Sequence, residues 1–298
     1  MSYKEVPALT EPGWDGENWT VVVDNATIIL EPHSTYEGIT FRNIDFSGLS
    51  LTSCVFRNVV FENCHLRATE FSHGTFVNVL IPNCDFADSV FLWAILEDTK
   101  LEDCWGYRAR FNFGRLIRCS FSECHLNEVQ FIEASIIQTT IARASVEASR
   151  WSRTRIVDST LMNVTAVTKG FTMTSVFAKR LQIVKCHLHN SKIVNSQFRR
   201  VEFSRSNFWR STITRTVFHD SNLNHTGFNE TTLQLSTLIK TAVRSCRFRM
   251  TKLPMTVFEA CRVESSLFEA ANLKETIFYD STLERNYYGD SAAHKAMF

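Results

Sequence analysis

The sequence predicts an all-β fold in which the chain winds into a four-sided parallel β-helix of about 12 coils. Three observations support this prediction. A large apolar residue recurs at every fifth position, and the residue two places before it is nearly always small. Glycine (10 residues) and proline (5 residues) are too scarce to form the turns of an ordinary all-β protein of 298 residues. The repeat itself must therefore supply the turns.

The large apolar residue is the central residue of each pentapeptide. In a first series, from Phe41 to Leu161, 24 of 25 central positions are large and apolar, and Gly106 is the exception. A second series begins at Ile183, two residues out of phase, and all 22 of its positions through Tyr288 are apolar. A step of five residues buries one face of neither a helix nor a straight strand. A chain that turns a corner every five residues points each central residue inward, and four sides make a coil of about 20 residues.

The residue two places before each central residue lies on the same short strand and should also point inward. These residues are small or compact, as in Ile39, Cys54, Gly74, Ser211 and Thr226. One large and one small side chain on each side would fill a narrow prism.

A finer regularity concerns the type of central residue. Between 218 and 283 it mostly alternates between Phe and an aliphatic residue, with a period of ten. In a four-sided coil this period places Phe on two opposite sides. We therefore expect one stacked column that contains Phe208, Phe228, Phe248 and Phe268.

The pattern resembles the pentapeptide-repeat family, whose members fold as right-handed quadrilateral β-helices. The resemblance covers about residues 36 to 288. Ser, Thr or Cys often stands here where the commonest repeat of the family has Ala, and Phe is preferred over Leu. The Phe- and Cys-rich composition is similar to the quinolone-resistance and topoisomerase-protecting branch. That similarity implies a topoisomerase such as DNA gyrase as a protein partner.

The repeat divides the chain into segments. They are an N-terminal cap at 1–35, a first rod at 36–161, a register break or loop at 162–182, a second rod at 183–288 and a C-terminal cap at 289–298. In the first cap, two short strands are expected on either side of Asp24 and Asn25. The sequence after Asp290 predicts a short capping helix.

Cysteine and histidine do not form a pattern typical of catalysis or metal binding. All nine cysteines fall at the small inward position, where they act as apolar filler and stay reduced. In the stretch Cys186–His189, Cys186 and Leu188 face inward while His187 and His189 face outward, so one ion cannot be enclosed. The chain has no Gly-rich phosphate loop and no nucleophile turn. We expect no enzyme activity and no catalytic, cofactor or metal site.

Charge is strongly segregated along the chain. Net charge is −11 over residues 1–104, +15 over 105–252 and −3 over 253–298. Four arginines occupy the second position after a central residue on four consecutive sides and would form a belt around one coil: Arg200, Arg205, Arg210 and Arg215. Because duplex DNA favours a stripe or patch on one face, a belt disfavours sequence-specific DNA binding. A solvated surface, an acidic protein partner, head-to-tail association and non-specific contact with nucleic acid or anionic membrane remain as alternatives.

Two departures from the repeat are further candidates for a functional site. The first is the break at 162–182, which is either a register-correcting kink or a recognition loop. Its candidate interaction residues are Lys169, Phe171, Phe177, Lys179 and Arg180. The second is Gly106, which leaves a void between Trp105 and Tyr107 that repacking or a ligand would fill.

Together these features predict a non-enzymatic rod that binds another protein as an adaptor, a regulator or a bacterial effector. The alternative is a topoisomerase-binding protein that protects the enzyme from a poison or toxin. Such proteins are thought to imitate DNA with an acidic rod, whereas here only about the first three coils are acidic. No signal segment and no apolar run of about 18 residues occurs, so a cytoplasmic protein without a transmembrane segment is expected. If it is an effector, it reaches its host by another route. Its oligomeric state is left open.

Overall fold

A computed structural model describes residues 9–14 and 18–297 of the chain. Within these residues every regular element is a β-strand, and most strands contain three residues. Successive coils pair in parallel and form a β-solenoid of about 12 turns. The predicted parallel β-helix is therefore confirmed. Among the described residues, no helix has the length and apolar character needed to cross a lipid bilayer.

Three strands precede the solenoid: β1 (Gly13–Trp14), β2 (Trp19–Val23) and β3 (Ala26–Leu30). The strands up to the register change are β4 (Thr35–Glu37), β5 (Thr40–Arg42), β6 (Val55–Arg57), β7 (Val60–Glu62), β8 (Thr75–Val77), β9 (Leu80–Pro82), β10 (Ile95–Glu97), β11 (Lys100–Glu102), β12 (Arg115–Ile117), β13 (Ser120–Ser122), β14 (Ser135–Ile137), β15 (Thr140–Ala142), β16 (Arg150–Ser152), β17 (Arg155–Val157), β18 (Thr160–Met162) and β19 (Thr165–Ala166). The later strands are β20 (Thr172–Thr174), β21 (Phe177–Lys179), β22 (Gln182–Val184), β23 (His187–Leu188), β24 (Lys192–Val194), β25 (Gln197–Arg199), β26 (Glu202–Ser204), β27 (Thr212–Thr214), β28 (Val217–His219), β29 (Asn222–Asn224), β30 (Thr237–Ile239), β31 (Ala242–Arg244), β32 (Val257–Glu259), β33 (Arg262–Glu264), β34 (Ile277–Tyr279) and β35 (Thr282–Glu284).

The four faces of the solenoid are numbered here in chain order. Face 1 carries the central residue Phe41, face 2 Phe46, face 3 Leu51 and face 4 Phe56, and each face recurs 20 residues later. Faces 1 and 4 each form a parallel sheet of 13 strands, which begin at β5 and β4 respectively. Faces 2 and 3 are joined mainly by single bridges, with short sheets β19-β23 and β16-β20-β24-β27.

Left-handed backbone turns the chain at each corner. Outside the 167–170 segment, the residue two places after each central residue has a positive φ, for example 51° at Arg205 and 55° at Arg210. Beyond glycine, this conformation is least costly for Asn and Asp and most costly for β-branched residues. No described corner residue from Asn43 to Lys295 is Val, Ile or Thr. Corner conformation therefore selects against β-branched residues, and most corners do not require glycine.

The interior is filled by the central and small residues. The expected Phe column is confirmed, since neighbouring rings from Phe208 to Phe268 lie nearly parallel with centroids 5.6, 5.2 and 4.8 Å apart. Gly106 leaves no void, because a Cβ there would overlap the Phe86 ring of the preceding coil. Trp105 points outward and is 54% exposed, so it does not line a slot. Local repacking is the alternative that the structure supports.

The two ends of the solenoid differ. The expected strands are present on either side of Asp24 and Asn25, whose φ values of 47° and 64° form a tight turn. Val21 and Leu30 from this hairpin are buried in the core cluster. The helix expected after Asp290 is wrong, because Ala292 pairs with Asn272 and Met297 pairs with Ile277. The preceding coil offers this segment backbone partners that a short helix lacks.

Candidate protein-binding surface

Two extra residues interrupt the repeat in one short loop at 167–170. Ala166 is the central residue before this loop, and Met173 is the central residue after it. Trp151 and its strand partner Met173 are 22 residues apart, whereas Met173 and Ile193 are separated by the usual 20. The chain therefore departs from the pentapeptide repeat only in this loop, and the coils before and after it still stack on each other.

This departure is narrower than the predicted break at 162–182. The large side chain of Phe171 suggested a central position, which placed the extra residues after it. In the structure Phe171 takes a small-residue position instead, between Ser149 and Ser191 in its column. It is 2% exposed. Because a buried ring cannot contact a partner, the prediction that Phe171 is an interaction residue is wrong.

The 167–170 loop is held by one carboxylate from the preceding coil. The N–H groups of Val167 and Thr168 donate to Glu147 Oε1 at 2.8 and 3.0 Å. The N–H of Lys169 donates to Glu147 Oε2 at 2.6 Å. Burial raises the pKa of Glu147, but these three donors outweigh burial and hold its pKa below the ordinary value. The sequence analysis did not identify Glu147, which lies 20 residues before Val167, at the equivalent position of the preceding coil.

The remaining candidates near the loop do not form one site. Lys169 is exposed, and its Nζ lies 3.9 Å from Glu128 Oε1. Phe177 and Lys179 are half-buried on face 4, in strand β21. Arg180 is exposed at the corner between faces 4 and 1, where it forms an ion pair with Asp158. The structure therefore distributes these residues over separate faces.

The four belt arginines lie at the four corners of one coil, and all four are exposed. Arg210 Nε lies 2.8 Å from Glu230 Oε2, and its guanidinium stacks on Trp209 with 4.0 Å to the ring centroid. Arg200, Arg205 and Arg215 form no ion pair with any residue that the structure describes. Because a flat partner can contact only adjacent corners, the belt cannot act as one contact surface.

Arg200 and Arg205 are adjacent corners that flank face 1. Lys185 is exposed at the corner one coil before Arg205 and likewise forms no ion pair in the described part of the chain. Glu202 is the carboxylate on the strand between the two arginines, and it is half-buried. We call Lys185, Arg200 and Arg205 the basic edge of face 1. It presents three cations, over two coils, that form no ion pair with a described residue.

Elsewhere in the basic middle of the chain, corner arginines are neutralised by carboxylates one coil away. The ion pairs join Arg108 to Asp88, Arg118 to Asp98, Arg143 to Glu123 and Arg153 to Glu133. Each pair spans 20 residues, so opposite charges at that spacing were a sequence signal for them. The net charge of +15 over residues 105–252 therefore overstates the free positive surface.

An exposed aromatic column was also missed. His73, Trp93 and Phe113 occupy one corner on three successive coils, with nearly parallel rings 6.5 and 4.5 Å apart. Trp93 is 54% exposed. Aromatic residues at positions 20 apart could have identified this column from the sequence.

Cysteine and histidine occupy the predicted sides of the strand. All nine cysteines are unpaired and buried, and their thiols donate to backbone carbonyls, as Cys104 does to Ile81 at 2.9 Å. Burial raises the pKa of Cys119 to about 11, which disfavours the reactive thiolate. Within residues 9–14 and 18–297, no group of three or more His, Cys, Asp or Glu side chains is placed to hold a metal ion.

Comparison with known proteins adds a family match. The family model described as pentapeptide repeats (8 copies) matches residues 44–81 and 183–220. The chain is similar to HetL, a pentapeptide-repeat protein involved in heterocyst differentiation regulation in the cyanobacterium Nostoc (13% identity, 86% of this chain, 88% of that one, TM-score 0.20). It is similar to QnrB1, a plasmid-mediated fluoroquinolone resistance protein (15% identity, 74% and 93% coverage, TM-score 0.23). It is also similar to the A-module of the mannuronan C-5 epimerase AlgE6 of Azotobacter vinelandii (10% identity, 89% and 89% coverage, TM-score 0.28). No curated protein matches the sequence.

Proposed function

Since this chain belongs to the pentapeptide-repeat family, we propose that it is a non-enzymatic rod that binds an acidic surface of another protein. The basic edge of face 1 is the observation that carries this proposal. Lys185, Arg200 and Arg205 are exposed, lie at neighbouring corners of two successive coils and form no ion pair with a described residue. A carboxylate of the partner could therefore pair with these cations without first displacing a carboxylate of this chain. Such contacts mainly contribute specificity and a fast association rate.

The test is affinity capture from lysate with the wild type and with R200E/R205E, at two salt concentrations. A matched control, R115E/K252E, reverses two unpaired cations on faces 4 and 3. We expect a protein that binds the wild type and the control, is lost with R200E/R205E and is weakened by salt. Equal capture by all three proteins would contradict the assignment of face 1.

A second candidate function rests on the acidic start of the chain. Residues 1–104 carry a net charge of −11, which suits the cationic DNA channel of a topoisomerase. In this case the acidic coils would dock alone, because the basic middle is repelled by such a channel. The test is gyrase supercoiling with purified wild type and with E102K/D103K, whose two positions are exposed. An effect that this variant loses and R200E/R205E keeps would favour the topoisomerase function. No effect at micromolar protein would exclude it.

We also propose a reducing location, the cytoplasm. The support is the set of nine unpaired thiols, since unpaired cysteines in this number are typical of reducing compartments. Cell fractionation with an antibody against the chain tests this, and recovery outside the cytoplasm would contradict it.

A further inference from the structure

Face 2 has a hollow at Gly227. Asn207 and Arg247 precede and follow this residue in its column, as direct bridge partners in the neighbouring coils. Both neighbours carry side chains, whereas Gly227 carries none. A cavity of about 280 Å³ lies over it. A Cβ at Gly227 would come within 2.9 Å of Asn207 Oδ1, so a larger residue here would force the Asn207 side chain to shift.

Several groups around the hollow can donate hydrogen bonds. Asn207 Oδ1 accepts from the N–H of Trp209 at 3.2 Å, and Asn229 Oδ1 accepts from the N–H of Arg249 at 3.1 Å. Each amide therefore keeps its Nδ2 group free to donate. Arg205, Arg247 and His225 also line the cavity, together with Ser206 and Ser245. No carboxylate is among the lining residues.

The two arginines carry uncompensated charge. Neither Arg205 nor Arg247 forms an ion pair with any residue in the described part of the chain. The neighbouring carboxylates already have other partners. Glu230 pairs with Arg210 at 2.8 Å, Glu264 with Arg285 at 2.6 Å and Glu269 with Arg249 at 3.5 Å. An anion in the hollow would therefore not compete with a carboxylate for Arg205 or Arg247.

We infer that the hollow over Gly227 binds a tetrahedral oxyanion of the phosphate class. Guanidinium groups match the oxygens of phosphate in geometry and charge, and charge-assisted bonds of this kind are stronger than neutral ones. The two asparagine amides and His225 supply further donors to the same space. The ligand is either free phosphate or a phosphoryl ester, since both present the same oxygens. This inference does not depend on the proposed protein partner.

Calorimetric titration at constant ionic strength tests the site, with inorganic phosphate and with O-phosphoserine. The variant R205Q/R247Q removes both charges. The variant G227T fills the hollow without changing charge, and Thr165 shows that the same column accepts threonine. The control R199Q removes one unpaired exposed charge from the opposite face 4. Circular dichroism confirms folding, and G227A replaces G227T if that variant does not fold.

We expect each of R205Q/R247Q and G227T to weaken binding at least tenfold, and R199Q to bind within twofold of the wild type. Equal affinity for both ligands supports a free-anion site, and tighter binding of O-phosphoserine supports a phosphoryl ester. Absence of binding of either ligand to the wild type would overturn the inference. So would unchanged binding in G227T, because the anion would then be held by surface charge and not by the hollow.

Discussion

The side-chain oxygen of Ser206 accepts a hydrogen bond from the backbone N–H of Cys186, one coil earlier, at 3.1 Å. The same hydroxyl donates to the carbonyl of Ile183 at 3.0 Å. At some corners the two corresponding backbone groups bond to each other directly, as the N–H of Thr231 does to the carbonyl of Phe228 at 3.1 Å. We call these tight corners, and we call a corner without this bond an open corner. The serine hydroxyl therefore gives the Cys186 N–H the acceptor that it lacks in an open corner. This explains why Ser is frequent at the small inward position, where alanine would fill the space equally well.

Removal of the Ser206 hydroxyl should be costly. Ser206→Ala leaves the Cys186 N–H buried without a partner, so we expect a loss of about 2–3 kcal/mol in the free energy of unfolding. The control is Thr231→Ala, since the Thr231 hydroxyl donates to Phe208 O, which also accepts from the N–H of Ser211. We expect a loss of about 1 kcal/mol there. Urea unfolding followed by circular dichroism measures both. Equal losses would show that the open corner does not need the hydroxyl.

The interlock between Gly106 and Phe86 can be tested with a double mutant. Gly106→Ala forces the Phe86 ring to move, because the new Cβ would overlap its Cε2 and Cζ atoms. We expect a loss of about 1–3 kcal/mol. The Phe86→Leu substitution removes those ring atoms, so F86L/G106A should be destabilised by less than the sum of the single variants. Additive losses in thermal or urea unfolding would mean that the two side chains do not share this space.

The left-handed backbone at a corner should tolerate some side chains better than others, and β-branched side chains least. Arg205 has a φ of 51° and is exposed, so its substitution removes little packing. We expect Arg205→Val to lower the free energy of unfolding by about 1–2 kcal/mol, because a β-branched residue is strained in this conformation. Arg205→Asn and Arg205→Glu should stay within about 0.5 kcal/mol of the wild type. A tolerated valine, measured by urea unfolding, would argue against the left-handed corner.

The three hydrogen bonds from the 167–170 loop to the Glu147 carboxylate should depend on pH. The ordinary pKa of 4.5 is lowered in the folded protein. Its contribution to stability is therefore present above that value and is lost as the pH falls through the lower, folded pKa. Hydrogen exchange of the Val167, Thr168 and Lys169 amides, corrected for the intrinsic pH dependence of exchange, should report this opening. The substitution Glu147→Gln should speed exchange about tenfold at pH 7 and remove the acid transition.

The control for this prediction is Glu123→Gln. Glu123 pairs with Arg143 at 3.0 Å and has no backbone donor among its hydrogen bonds in the described residues. The substitution Glu123→Gln should leave hydrogen exchange of the Val167, Thr168 and Lys169 amides unchanged. Slow exchange in Glu147→Gln would show that the loop is held by other contacts.

Much of the fold followed from the sequence because the pentapeptide is a local rule. The spacing of Phe208, Phe228 and Phe248 predicted their stacking, and the inward position of Cys186 was correct for the same reason. The break was less predictable, because both Ala166 and Phe171 fit the five-residue pattern. The choice is made by pairing across coils, where Thr172 meets Arg150 and Met173 meets Trp151. That contact requires the large Phe171 at a small-residue position.

The sequence by itself determined the repeat, the inward and outward sides of each strand, and the corner positions of the four belt arginines. These features depend on spacing along one chain and on burial of apolar side chains. The tertiary structure decided which charges are free, since Arg108 and Arg118 are neutralised across coils while Arg200 and Arg205 are not. It also decided that Glu147 holds the loop and that Gly227 leaves a hollow. These properties arise between residues 20 apart or more, where geometry and competing partners, and not residue type, select the contacts.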